Sequence, residues 1–102
     1  MRYEWDERKN LANQRKHGIS FELALTVFSD PHCMFGLDQV DQSGEQRWHA
    51  VGFASIEPGV GDVLLVAHVY REDEHGEEIV RIISARRASD DDFGRYQEQA
   101  LD

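Results

Sequence analysis

The sequence predicts an α+β fold in the order ααββββα: two N-terminal helices, a four-stranded antiparallel sheet and a C-terminal helix. Three observations carry this. Helical spacing with cap residues at its ends marks two helices before Pro31. Apolar runs between Cys33 and Ala88 are separated by turns rich in Gly and Asp, and turns this short join antiparallel strands. Ser89 to Asp92 then fits the S-x-x-D pattern that opens a helix. The 102 residues make one small domain, spanning 1–102, around one core.

Asp6 is a good cap for the first helix, which runs to about His17, with Gly18 as its left-handed terminator. Its apolar content is thin, Leu11 and Ala12 only, and one stripe reads Lys9, Asn13, Lys16 and His17. A helix this polar docks weakly unless its polar face has work to do. Ser20 caps the second helix, where Phe21, Ala24, Leu25 and Phe28 recur at core-facing spacing until Asp30-Pro31.

Cys33 to Leu37 reads as the first strand and Asp38 to Glu45 as a loop. Arg47 to Ser55 is the second strand, with Arg47, His49, Val51 and Phe53 on one face and Trp48, Ala50, Gly52 and Ala54 on the other. Gly52 marks a bulge or a close backbone approach. After a turn at Glu57 to Asp62, Val63 to Tyr70 is apolar on both faces except for His68. After a charged turn comes Glu78 to Ala88, with Ile79, Ile83 and Ala85 on one side and Val80 and Ile82 on the other. This last strand carries Arg81 in its body and Arg86-Arg87 at its exit. A buried guanidinium needs a carboxylate (Glu45, Glu78 and Asp92 are candidates) or a wet cleft. Strict alternation puts Arg81 and Arg86 on opposite faces, so both serve one cleft only if the strand bulges or Arg86 lies beyond its end. In the final helix Phe93, Tyr96 and Ala100 share a face. The expected core is Trp48, Val51, Phe53, Leu64, Val66, Ile82 and Ile83 under Phe21, Leu25 and Phe28.

The net charge of −9 and pI of about 4.9 argue against an anionic partner, but the charge is uneven. Residues 8–16 hold Arg8, Lys9, Arg15 and Lys16 and no acid, whereas the acids gather in turns, which leaves room for a local basic surface. Cys33 is the only cysteine, so no internal disulfide forms and a reducing compartment is favoured. The N-terminus has no apolar run, so neither a signal peptide nor a membrane span is expected, and the expected location is cytoplasmic.

No histidine pair stands at H-x-x-x-H spacing, and no phosphate-binding or dinucleotide glycine pattern occurs, so no metal and no cofactor are expected. What remains is a set of cations and imidazoles: Lys9, Lys16, His17, Arg47, His49, His68, Arg71, Arg81 and Arg86. Metal-free phosphodiester cleavage uses such groups, one to take a proton from the ribose 2′-hydroxyl, others to hold charge on the phosphate. Each also has a plainer reading: Lys9 and Lys16 as solvated helix charges, His17 as a complement to a helix end, His68 as a hydrogen-bonded core group.

Three stretches taken together resemble the BrnT toxins. They are Trp5-Asp6-Glu7-Arg8-Lys9 with Asn13 and Lys16-His17-Gly18-Ile19-Ser20-Phe21; Gly44-Glu45 and Arg47 leading to Gly52; and Arg81-Ile82-Ile83-Ser84-Ala85-Arg86-Arg87-Ala88. The resemblance spans nearly the whole chain. It implies a RelE-like fold and metal-independent endoribonuclease activity that cleaves RNA and inhibits translation. It also implies a BrnA-like antitoxin as protein partner, with operator DNA reached only through that antitoxin and no membrane partner. Lys9, Lys16, His17, Arg47, Arg81 and Arg86 fall on the family's motif positions. His17, Arg81, Lys9 and Lys16 are the expected catalytic set, with His17 the first choice for acid or base because an imidazole ordinarily titrates near cellular pH. Arg47, Arg86, Tyr70 and Arg71 are the expected phosphate-binding set. The chain departs from the family after Arg87-Ala88, where Asp92 and Phe93 replace the usual Glu and Arg. The rival reading is a non-catalytic module whose cationic face only seats an antitoxin and which acts with it as an autorepressor.

Overall fold

The computed structural model describes residues 1–101. Its elements are β1 (Arg2–Glu4), α1 (Glu7–His17), α2 (Phe21–Leu25) with a 3-10 turn (Thr26–Ser29), β2 (Met34–Val40), β3 (Gln46–Glu57), β4 (Val60–Glu72), β5 (Glu78–Arg87) and α3 (Asp90–Leu101). The sheet has five strands in the order β1-β5-β4-β3-β2, with β1 parallel to β5 and the other pairs antiparallel. The expected four-stranded antiparallel sheet is therefore corrected to a five-stranded mixed one, with a strand ahead of the first helix. Arg2-Tyr3-Glu4 is too short to show a period-two pattern, and a parallel pairing leaves no hairpin signal beside it.

The four strands β2 to β5 form a meander with long hairpins. The β2–β3 and β4–β5 turns share one plan, Asp41-x-x-Gly44-Glu45 and Asp73-x-x-Gly76-Glu77. In each, the aspartate carboxylate accepts backbone N–H bonds across the turn, and the glycine takes positive φ, 89° for Gly44 and 78° for Gly76. The turns are thus shorter than expected, and Asp38 to Val40 and Val60 to Asp62 join strands. Pairing runs from Val60 to Glu72 in β4, the sheet's centre, and Val63 to Val69 are buried on both faces.

α2 and the 3-10 turn cover one face. Phe21, Ala24 and Val27 are fully buried against Ala50, Ala54, Leu64, Val66, Ile82 and Ala85. The chain tightens from α to 3-10 geometry after Leu25, so the inward spacing becomes three and Val27 turns in, while Leu25 and Phe28 are only half-buried. Gly52 permits this approach: a Cβ there would lie 2.9 Å from Val27 Cγ1. Trp48 and Ile83 are likewise half-buried, and Phe53, expected in the core, is 44% exposed near the rim of the other face.

α1 docks differently, on polar groups. Its inward residues are Asn10 and Asn13, both buried, while Leu11 is exposed. β1 flanks β5 only from Ile79 to Arg81. Farther along, the Asn13 amide stands in for a neighbouring strand. Its Nδ2 donates to the Ala85 carbonyl at 2.8 Å and its Oδ1 accepts from the Ala85 N–H at 3.1 Å. The same Nδ2 donates to the Ile19 carbonyl at 2.8 Å. Asn10 Oδ1 accepts from the Phe21 N–H at 2.8 Å, locking α1 to α2. α3 crosses part of the opposite face, where Tyr96, Met34 and Ala88 pack on Val51, Val63 and Leu65.

Candidate functional site

β5 contains a bulge. Ala67 pairs with Ser84, but His68 pairs with Ile82, so Ile83 is the extra residue. Strand alternation is broken there, and Ile82 and Ala85, three apart, both join the core under α2. The same shift brings Arg81 and Arg86 to one face, the one opposite α2, because they stand across from Val69 and Leu65 of β4. Both of those point away from the α2 core.

That face is laid out in rows by the register. One row reads Arg47, Val69, Arg81; the next His49, Ala67, Ser84; the third Val51, Leu65, Arg86. Arg47 and Arg81 are two strands apart, so their Cα atoms are separated by ~10 Å. Val69 lies between them, and in the next row the small Ala67 forms a floor with His49 and Ser84 at its two sides. α3 covers the Val51–Leu65–Val63 end and leaves the arginine end open.

Arg81 is half-buried and pairs with Glu4 of β1. The carboxylate partner is thus Glu4 rather than Glu45, Glu78 or Asp92. Glu4 Oε1 also lies 3.4 Å from Arg71 Nε, so one carboxylate holds two guanidinium groups at the β1 end of the face. Arg86 lies toward α3, beside Asp92. Burial raises the Asp92 carboxyl, but bonds from Ser89 and Arg95 and the charges of Arg95 and Arg86 outweigh it and hold it below the usual carboxylate range. On the β2 side, Asp38 Oδ2 stands 3.4 Å from His49 Nε2.

The remaining expected site residues lie elsewhere. Tyr70 is on the α2 side of the sheet, where its hydroxyl lies 3.2 Å from His68 Nε2 and its ring meets Trp48 edge-on. His68 is fully buried, and burial holds its pKa below the ordinary value, so it is a neutral core imidazole. Lys9, Lys16 and His17 are on α1. The helical period sets Lys9 and Lys16, both exposed, on the flank away from Asn10 and Gln14, which is the flank away from α2. His17, half-buried, closes the last turn before Gly18 (φ 71°). The structure therefore brings Arg47, Arg71, Arg81 and Arg86 together on one face, with Tyr70 on the other and the α1 cations at the sheet edge. The contributions of Glu4, Asp38 and Ser84 escaped sequence reading. Asp38 stands in an acidic run that reads as a loop yet belongs to β2, and only the register shows which residues of four strands share a row.

No described helix is long and apolar enough to cross a membrane. A family model described as "Ribonuclease toxin, BrnT, of type II toxin-antitoxin system" matches residues 5–92. A search of curated proteins finds no match.

Proposed function

The chain belongs to the BrnT family of ribonuclease toxins of type II toxin-antitoxin systems, and from that premise we propose that it is an endoribonuclease whose RNA lies across the arginine-bearing sheet face. The observation that carries this reading is the β5 bulge, which puts Arg81 and Arg86 on the same side as Arg47 and Arg71. On an acidic chain, this is a place where fixed positive charge converges on a small-residue floor. Guanidinium groups suit the task because they stay ionised and can donate two bonds to one phosphate.

In this reading the scissile phosphate sits above Ala67. Arg81, held by Glu4, stabilises the charge that builds on the phosphoryl oxygens, and Arg47 and Arg86 hold neighbouring phosphates. Arg71 shares Glu4 and extends the positive border. Lys9 and Lys16 add charge from the α1 flank at the sheet edge, and His17 is the imidazole of that helix. Tyr70 lies on the opposite face of the sheet, with its hydroxyl at His68 Nε2, and takes no part in this path.

A type II family implies a protein antitoxin. In our reading it is BrnA-like, it covers this face in the resting complex, it brings the operator DNA, and the pair works in the cytoplasm. RNA cleavage by the purified toxin in EDTA tests the function. Arg81→Ala is expected to lower the rate by about 10²–10³-fold, as for loss of one transition-state donor. Undiminished cleavage by that variant would reject the assigned face.

A further inference from the structure

Between the start of α3 and the β2–β3 hairpin lies a cavity of about 390 Å³. This is within the ~300–1,000 Å³ usual for small-ligand sites. It opens on the arginine face. Val51 and Leu65 give it an apolar wall, Asp92 and Arg95 stand on its α3 side, and His49 and Asp38 stand on its β2–β3 side. His49 is the imidazole that the register places in the row between Arg47–Arg81 and Arg86. Its Nε2 is 3.4 Å from the Asp38 carboxylate, and its side chain is 31% exposed. A half-buried imidazole facing a carboxylate and bordered by arginines is the arrangement a proton-transfer group needs.

Resting on the ribonuclease reading above, we propose that His49 is the general base of the site, with Asp38 as its positioning residue. The cavity seats the nucleoside on the 5′ side of the scissile bond. Its 2′-hydroxyl gives its proton to the neutral imidazole through Nδ1, since Asp38 occupies the Nε2 side. The 2′-oxygen bonds to phosphorus as the bond from phosphorus to the 5′-oxygen breaks, and the leaving 5′-oxygen takes a proton from solvent. The products are a 2′,3′-cyclic phosphate and a 5′-hydroxyl, and the step is neutral in protons and electrons. The charged groups around the imidazole are Asp38 from β2, Arg47 from its own strand β3, Asp92 and Arg95 from α3, and Arg86 from β5. His68 of β4 lies on the other side of the sheet. The Asp38 carboxylate at Nε2 holds the ring with Nδ1 toward the 2′-hydroxyl.

The test is a pH-rate profile of RNA cleavage for the wild-type protein, His49→Ala, His49→Gln, Asp38→Asn and the exposed-histidine control His75→Ala, with folding checked by circular dichroism. The expected results are a loss of about 10²–10⁴-fold for both His49 variants, a fall in kcat at unchanged KM for Asp38→Asn, and no change for His75→Ala. If the wild-type protein cleaves and a folded His49 variant cleaves as well, the base assignment falls while the ribonuclease reading stands. If Asp38→Asn keeps the wild-type kcat, Asp38 does not act through His49. If the wild-type protein leaves RNA intact, the ribonuclease reading and this proposal fall together.

Discussion

Replacing Asn13 by alanine should unfold much of what holds α1 in place, although Asn13 is a polar residue on a polar helix. Its side chain makes three bonds: Nδ2 to the Ile19 and Ala85 carbonyls, both at 2.8 Å, and Oδ1 from the Ala85 N–H at 3.1 Å. Ile19 and Ala85 are 4% and 1% exposed, so their backbone groups have little access to replacement water. Each buried group left without a partner costs ~1–3 kcal/mol. Three such groups sum to about 3–9 kcal/mol for Asn13→Ala, and water entering the gap brings the loss toward the low end. A small domain has ~5–15 kcal/mol in all, so the loss is a large share of it. Leu11→Ala is the contrasting variant. Leu11 is 48% exposed, and its replacement should change stability by no more than about 0.5 kcal/mol. Urea unfolding measures both, and hydrogen exchange at the Ala85 amide reads the local bond directly. A loss below about 1 kcal/mol for Asn13→Ala, or a larger loss for Leu11→Ala than for Asn13→Ala, would refute the view that α1 docks through its asparagines.

Three further outcomes follow from the packing and the site. Gly52→Ala should destabilise the fold by ~1–3 kcal/mol, because its Cβ would meet Val27 Cγ1 at 2.9 Å and the Val27 carbonyl at 3.2 Å; thermal melts check this. Burial raises the Asp30 carboxyl, but bonds from the Phe53 N–H, the Tyr96 hydroxyl and the His32 N–H outweigh it, so its pKa is lowered in the folded state. The stability this gives is present above the unfolded carboxyl's pKa and lost as pH falls through the lower folded one. Asp30→Asn should therefore flatten the acid limb of stability against pH, and a limb of unchanged slope would contradict it. Deleting Ile83 should straighten β5 into regular pairing and leave Arg81 and Arg86, then four residues apart, still on one face, so a variant that folds should keep RNA cleavage; loss of cleavage by a folded deletion variant would count against the shared arginine face.

Much of the fold was legible because helix caps, apolar spacing and turn residues are local signals. Asp6, Gly18, Ser20 and the Ser89–Asp92 box act at helix ends as their chemistry suggests. Gly52 marks a close approach because a side chain there would strike the 3-10 turn. What was not legible is what depends on pairing across the sequence. β1 is a three-residue strand whose partner lies more than seventy residues away, so the Glu4 partner of Arg81 could not be read either. The bulge at Ile83 is set by register with β4, and strict alternation along the sequence puts Arg81 and Arg86 on opposite faces where the fold unites them. Of the cations and imidazoles picked out in the sequence, Arg47, Arg71, Arg81 and Arg86 gather on one face. Lys9, Lys16 and His17 belong to a helix whose inward stripe turned out to be asparagine.

The central claim, that one sheet face takes the RNA, is tested most directly by methyl and indole NMR during titration with a short 2′-O-methyl RNA, which cannot be cleaved. The Ala67 methyl lies on the floor between Arg47, His49, Arg81 and Ser84, whereas the Trp48 indole and the Tyr70 ring lie on the other side of the sheet. The account predicts that the Ala67 signal shifts saturably while the Trp48 and Tyr70 signals stay in place. Saturable shifts at Trp48 and Tyr70 with an unmoved Ala67 methyl would contradict it.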